Sequence, residues 1–95
     1  MSAAAPDPRL LDLAAKLFWW KSPDAALAEE RRFLAQAMTF GSWKDMELVR
    51  SVYGMDALRA VLADAPPGVF DRRSWSYWHV KLELMPVPPL PERRL

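Results

Sequence analysis

Residues 38–54 restrict the fold more than any other stretch, because they read as one short helix with a termination signal on each side. Phe40-Gly41 is typical of a helix C-terminus closed by a glycine in the left-handed conformation. Ser42 and Asp45 then have the spacing of a capping box. Apolar side chains follow at three- and four-residue spacing and form one stripe: Trp43, Met46, Val49 and Tyr53. We therefore expect this segment to be the central helix, ending at Gly54.

Four other helices are predicted from similar start and stop signals. Asp7-Pro8 and Ser22-Pro23 are cap-plus-proline start signals, and Asp71 can cap the last helix. The second helix is expected to run unbroken from about residue 23 to residue 40, and Asp12 to pair with Lys16 in the first. A short helix around residues 58–65 should end at the Pro-Pro-Gly turn that follows it. Residues 80–84 alternate briefly in polarity, but no stretch sustains a strand pattern.

The chain has 95 residues, of which 52% are hydrophobic, so it has material for one modest core. The sequence predicts an all-α fold: a compact, five-helix single domain with an extended Pro-rich C-terminal tail. We expect a flexible N-terminus at 1–7, the helical domain at 8–84 and the tail at 85–95. The expected core contains Trp43, Met46, Val49, Leu58, Leu62 and Trp78.

The composition offers little catalytic chemistry. There is no Cys, the three Gly residues are explained as helix terminators, and no metal-binding spacing of His or carboxylates occurs. His79 is the only His and lies on an apolar face, where a hydrogen-bonded structural role is expected. We expect a protein that is not an enzyme, with no catalytic residues, no metal, no cofactor and no small-molecule substrate. No signal peptide or apolar run of about 20 residues occurs, so we expect a cytoplasmic protein with no membrane partner.

Two features indicate a binding surface. Three consecutive aromatics end the first helix, so Trp19 or Trp20 must lie at its edge or leave it. The Pro-rich tail favours an extended conformation that loses little entropy on docking. Val87 and Leu90 can pack on the chain's own domain or in a groove of a partner, where Arg93 and Arg94 would reach an acidic site. Residues 88–93 also fit the PxxPxR pattern that SH3 domains bind.

Arg72 and Arg73 stand in the first turn of the last helix, where cations oppose the helix dipole. A carboxylate, a phosphate or the neighbouring Asp71 would favour them there. The last two helices can also be read as a helix-turn-helix, with Arg72, Arg73, Ser76 and Tyr77 facing a major groove. The overall charge of +1 gives no general attraction to nucleic acid.

The order of four motifs resembles a group of small all-helical bacterial proteins: Leu17-Phe18-Trp19, Phe40-Gly41 before the helix with Asp45, Tyr53-Gly54 with Leu58, and Trp75-Ser76-Tyr77-Trp78. Genes of that group commonly lie directly upstream of a nucleotidyltransferase resembling toxins of abortive-infection systems. The resemblance implies an antitoxin-like, non-enzymatic partner of such a toxin. The residues themselves, and not the resemblance, indicate the expected partner-binding set: Trp19, Trp20, Arg72, Arg73, Val87, Leu90, Arg93 and Arg94. The alternative is a helix-turn-helix DNA-binding transcriptional regulator that uses the last helix.

Overall fold

Four of the helices begin at the capping residues that the sequence indicates. A computed structural model describes residues 7–91 of the chain, which form helices and connections and contain no strand. The helices are α1 (Pro8–Leu17), α2 (Pro23–Ala28), α3 (Glu30–Phe40), α4 (Trp43–Tyr53), α5 (Met55–Ala63) and α6 (Arg72–Lys81). The predicted all-α class is confirmed. None of these helices is long and apolar enough to cross a bilayer.

Local hydrogen bonds explain where α1, α2, α4 and α6 begin. The side chains of Asp7, Ser22 and Asp71 each accept a hydrogen bond from a backbone amide of the following turn, at 2.8, 3.2 and 2.7 Å. Ser42 and Asp45 form the predicted capping box, with the Ser42 amide donating to the Asp45 carboxylate at 2.8 Å and the Asp45 amide donating to the Ser42 hydroxyl at 3.2 Å. These caps were predictable because each depends only on residues close in sequence.

The prediction of five helices is wrong, since residues 7–91 contain six. The expected helix from 23 to 40 is interrupted at Glu29, whose backbone (φ −96°, ψ 71°) is not helical. No Pro or Gly marks this break in the sequence. The interruption allows α2 to pack on α1 while α3 takes a separate path through the middle of the domain.

The central helix is α3, and the prediction that the helix at 43–53 is central is wrong. α3 packs against all five other helices. Five of its residues are buried: Phe33, Leu34, Ala35, Ala37 and Met38. In α4 only Val49 is buried, because the helix lies at the edge of the core with its first turn in solvent.

The predicted core is correct in four of its six positions. Val49, Leu58, Leu62 and Trp78 are buried, and Met46 is partly buried against the core. Trp43 is 67% exposed, so its assignment to the core is wrong. It occupies the first position of α4, beyond the edge of the packed region, where the Lys81 ammonium lies 5.8 Å from its ring centroid.

Gly41 ends α3 by a different mechanism from the one expected. Its backbone is extended (φ −71°, ψ 153°) and not left-handed. A Cβ at this position would lie 2.5 Å from the Ala37 carbonyl oxygen. The glycine is therefore required by close approach of the backbone, since any side chain would collide with the last turn of α3.

Lys16 joins α1 to α4. Its ammonium forms an ion pair with Asp45 of the capping box, instead of the expected pair with Asp12. Partial burial opposes ionisation of Asp45, but hydrogen bonds from Lys16 and Ser42 outweigh it, so the pKa of Asp45 is lowered. The carboxylate thus serves a helix cap and a tertiary contact together.

Replacing Asp45 by Ala should lower the free energy of unfolding by about 1 kcal/mol at pH 7, since it removes half of a capping box. A carboxyl with a lowered folded-state pKa stabilises the fold above its unfolded value, near 3.8, and loses that effect as the pH falls through the folded value. The difference between the two chains should therefore shrink in acid. Urea unfolding at pH 7 and at about pH 2.5 measures it, with Asp12→Ala, exposed on α1, as the matched control. A difference that grows in acid would contradict this role.

Candidate protein-binding surfaces

The first surface is the corner between α1 and α2, which exposes two adjacent tryptophans. α1 ends at Leu17, and the next residue, Phe18, is buried against Phe33 with ring centroids 6.4 Å apart. Trp19 and Trp20 are 82% and 54% exposed. The expectation that Trp19 or Trp20 would lie at the helix edge or leave the helix is confirmed, since both follow the end of α1 and both are exposed.

The corner is held by several contacts. The Trp20 ring packs on Phe18 at 5.3 Å and meets Trp19 edge-on at 5.5 Å. The Lys21 ammonium lies 5.7 Å from the Phe18 ring centroid and binds the Glu29 carboxylate at 2.9 Å. That hydrogen bond lowers the pKa of Glu29. Trp20 is thus fixed on a buried ring, whereas Trp19 projects furthest into solvent.

The second surface is a groove of about 520 Å³ between α4 and α6, called the α4–α6 groove below. Its apolar floor is formed by Met38, Met46, Met55, Leu58 and Trp78. Trp43 and Tyr77, which is 47% exposed, also line it. The Trp78 indole is fixed because its Nε1 donates a 2.7 Å hydrogen bond to the Met38 carbonyl.

The charges around the α4–α6 groove are mainly positive. Arg50, Arg73 and Lys81 line it and have no salt bridge within residues 7–91. The carboxylates are Glu47 and Asp71. Asp71 caps α6 and accepts hydrogen bonds from the Ser74 hydroxyl and amide, which lower its pKa.

The Pro-rich tail packs on its own domain as far as the structure describes it. Val87 and Leu90 are partly buried against the core. The Trp75 indole Nε1 donates a 2.8 Å hydrogen bond to the Pro88 carbonyl. Of the alternatives for this segment, docking on its own domain is the one observed for residues 85–91. The predicted partner contacts of Arg93 and Arg94 lie outside the described residues.

Arg72 and Arg73 are exposed in the first turn of α6, and Ser76 and Tyr77 are exposed further along the same helix. Neither arginine forms a salt bridge within the described chain. α6 packs principally on α3, and residues 64–71 separate it from α5. A helix-turn-helix joins its two helices by a tighter turn of about three or four residues.

His79 is buried, with its Nδ1 2.8 Å from the Trp75 carbonyl oxygen and its ring 4.3 Å from the Trp75 ring centroid. The expected structural role of this residue is confirmed by that burial and contact. In the part of the chain that the structure describes, no group of three or more His, Asp or Glu side chains is placed to hold a metal ion.

The predicted partner-binding residues that the structure describes lie on separate elements. Trp19 and Trp20 lie at the α1–α2 corner, Arg72 and Arg73 at the start of α6, and Val87 and Leu90 against the core of their own domain. The sequence does not predict the α4–α6 groove, because its pattern places Trp43 in the core. A scan against protein-family models, a search of curated proteins and a search of solved structures each found no match.

Proposed function

We propose that this protein is a non-enzymatic protein-binding module whose main anchor is the Trp19–Trp20 corner. The exposure of these two adjacent indoles carries the proposal. Leaving two large apolar side chains in water forgoes the stabilisation that burial would give, about 25 cal/mol per Å². Tryptophan is also among the residues most enriched at the energetic centres of protein interfaces.

The geometry of the corner supports an anchor role. Trp20 is packed on the buried Phe18 ring, and the Lys21–Glu29 ion pair holds the backbone beside it. A side chain that is already positioned loses less conformational entropy on binding than a free one. The only imidazole of the chain, at His79, is buried and engaged, which favours a surface function over acid–base catalysis.

The partner proposed is a nucleotidyltransferase-like toxin, for which this protein acts as the antitoxin. Support for that identity comes from the resemblance of the sequence motifs. The cations proposed to meet the acidic site of such an enzyme are Arg72 and Arg73, which are exposed. Val87 and Leu90 are engaged by the domain's own core, so the proposal does not rest on them.

The alternative function, DNA binding by α6, is favoured by the shared exposure of Arg72, Arg73, Ser76 and Tyr77. The long connection before α6 and the packing of this helix on α3 give it less support. A gel-shift assay with the protein's own promoter at low salt separates the two functions, because phosphate contacts made by the two arginines would be strongest there. Failure to shift that DNA removes the alternative.

The Trp19→Ala/Trp20→Ala variant should bind the product of the gene immediately downstream at least tenfold more weakly than the wild-type chain. Co-expression followed by co-purification, and then calorimetric titration, measures this effect. The matched control is Val52→Ala, which shortens an exposed apolar side chain on α4 and should bind as the wild type does. If the neighbour is no nucleotidyltransferase, the proposed partner is wrong. If the double variant binds unchanged, the corner is not the anchor.

A further inference from the structure

The α4–α6 groove is a second exposed apolar surface that the Trp19–Trp20 corner does not explain. We propose that this groove binds an amphipathic helix of a partner protein, with apolar residues facing the floor and acidic residues along its flanks. This inference rests on the proposed function, since it names the kind of segment that a protein partner presents. Three features of the groove support this proposal: its methionine-rich floor, the aromatic side chains on its two sides and its excess of positive charge.

The floor is suited to a helix of varied sequence. Met38, Met46 and Met55 come from three different helices and meet beside Leu58 and Trp78. Methionine side chains are flexible and polarisable, and they adapt to differently shaped apolar partners. Surfaces that receive amphipathic helices commonly use this property, and the helix contributes anchors at i, i+3 or i+4, and i+7.

The walls present aromatic faces to the same space. Trp43 and Tyr77 line the groove and remain accessible to solvent, at 67% and 47% exposure. The Tyr77 ring meets the ring of Trp78 edge-on at 5.2 Å, and Lys81 lies over Trp43. Two aromatic walls above an apolar floor can enclose the side chains of a bound helix on both flanks.

The charges select an acidic occupant. Arg50, Arg73 and Lys81 line the groove, and no carboxylate of residues 7–91 forms a salt bridge with them. Of the carboxylates, Asp71 is occupied as the cap of α6, which leaves Glu47 to oppose three cations. A helix with Asp or Glu beside its apolar face gains attraction here, whereas a basic helix is repelled.

The test is a selection from a displayed library of random peptides about four helical turns long, using the full chain as the target. We expect enriched peptides to combine helical apolar spacing with acidic flanks. Their amide-shift perturbations on the labelled protein should map to α4 and α6. The proposal would be overturned if basic peptides were enriched, if no peptide were enriched, or if the perturbed amides mapped to another part of the protein.

Charge-reversed variants of this protein test directly whether the cations of the groove attract the acidic peptide. Arg73→Glu/Lys81→Glu, at two exposed positions of α6, should weaken binding of a selected acidic peptide at least tenfold. Arg32→Glu/Lys44→Glu reverses two exposed charges that do not line the groove and should leave binding within about twofold. Equal effects of both pairs would show that the acidic peptide senses only overall charge, and the inference would fail.

Two further results distinguish this inference from the proposed function. A selected peptide should bind the Trp19→Ala/Trp20→Ala variant as well as the wild type, because the corner and the groove share no lining residue. A partner that loses affinity on the corner variant but not on the groove variant would uphold the proposed function and refute the groove. Concentration-dependent self-association that protects the groove would also refute it, since a second copy would then be the occupant.

Discussion

Replacing Phe33 by Ala should lower the free energy of unfolding by about 3–5 kcal/mol, the range usual for deleting a large buried aromatic side chain. Phe33 is fully buried in α3, the helix that contacts all the others. Its ring centroid lies 6.4 Å from that of Phe18 and 6.2 Å from that of Tyr53. Its removal leaves a cavity where α1, α3 and α4 meet, and close-packed neighbours can relax only in part.

Urea unfolding followed by circular dichroism measures this loss. The matched control is Trp43→Ala, which deletes a larger aromatic ring from an exposed position and should cost about 1 kcal/mol or less, mainly the contact with Lys81. Comparing the two losses in the free energy of unfolding shows whether α3 or α4 is the centre of the core. A loss at Trp43 that equals the loss at Phe33 would show that the helix at 43–53 is central after all.

Local signals are sufficient to predict where four of the six helices within residues 7–91 begin. Asp7, Ser22, Ser42 and Asp71 all cap helices as the sequence indicated. Each of these caps forms between residues at most three apart, so no tertiary information is needed. The break at Glu29 has no such local signal, because it accompanies the packing of α2 on α1.

Which helix occupies the centre could not be predicted in the same way. An apolar stripe shows that one face of a helix is buried, but it does not show how many other helices contact that face. The stripes of α3 and α4 look similar in sequence, and only the assembled fold gives α3 five neighbours. An apolar stripe also does not show where burial ends, since Phe40 and Trp43 both continue an apolar pattern and both are exposed.

The candidate surfaces show the same division between local and tertiary information. The exposure of Trp19 and Trp20 follows from three aromatics in succession, which cannot share one helix face. The α4–α6 groove draws its lining from residues between Met38 and Lys81, on several helices. No local pattern predicts such a surface, because it forms only when α3, α4, α5 and α6 pack together.

Shortening the chain to end at Met85 should lower the free energy of unfolding by about 2–3 kcal/mol relative to a chain ending at Pro91. Val87 and Leu90 are partly buried, and each contributes about 1 kcal/mol for half-burial of a side chain of this size. The hydrogen bond from Trp75 to the Pro88 carbonyl adds about 1 kcal/mol. The order imposed on the segment costs less than usual, because its prolines restrict the unfolded chain as well.

A chain ending at Pro91 is the matched reference, because it keeps every tail contact that the structure describes. Val87→Ala/Leu90→Ala in the full chain should reproduce much of the loss, whereas Met85→Ala, at an exposed position, should change stability by less than about 0.5 kcal/mol. Urea unfolding of these four chains and the wild-type chain, together with co-purification of the partner, decides between the two roles of the tail. If ending the chain at Met85 leaves stability unchanged but weakens binding to the partner, Val87 and Leu90 belong to the interface. If it destabilises the domain by the expected amount, the tail is part of the fold, and Val87 and Leu90 stabilise their own domain.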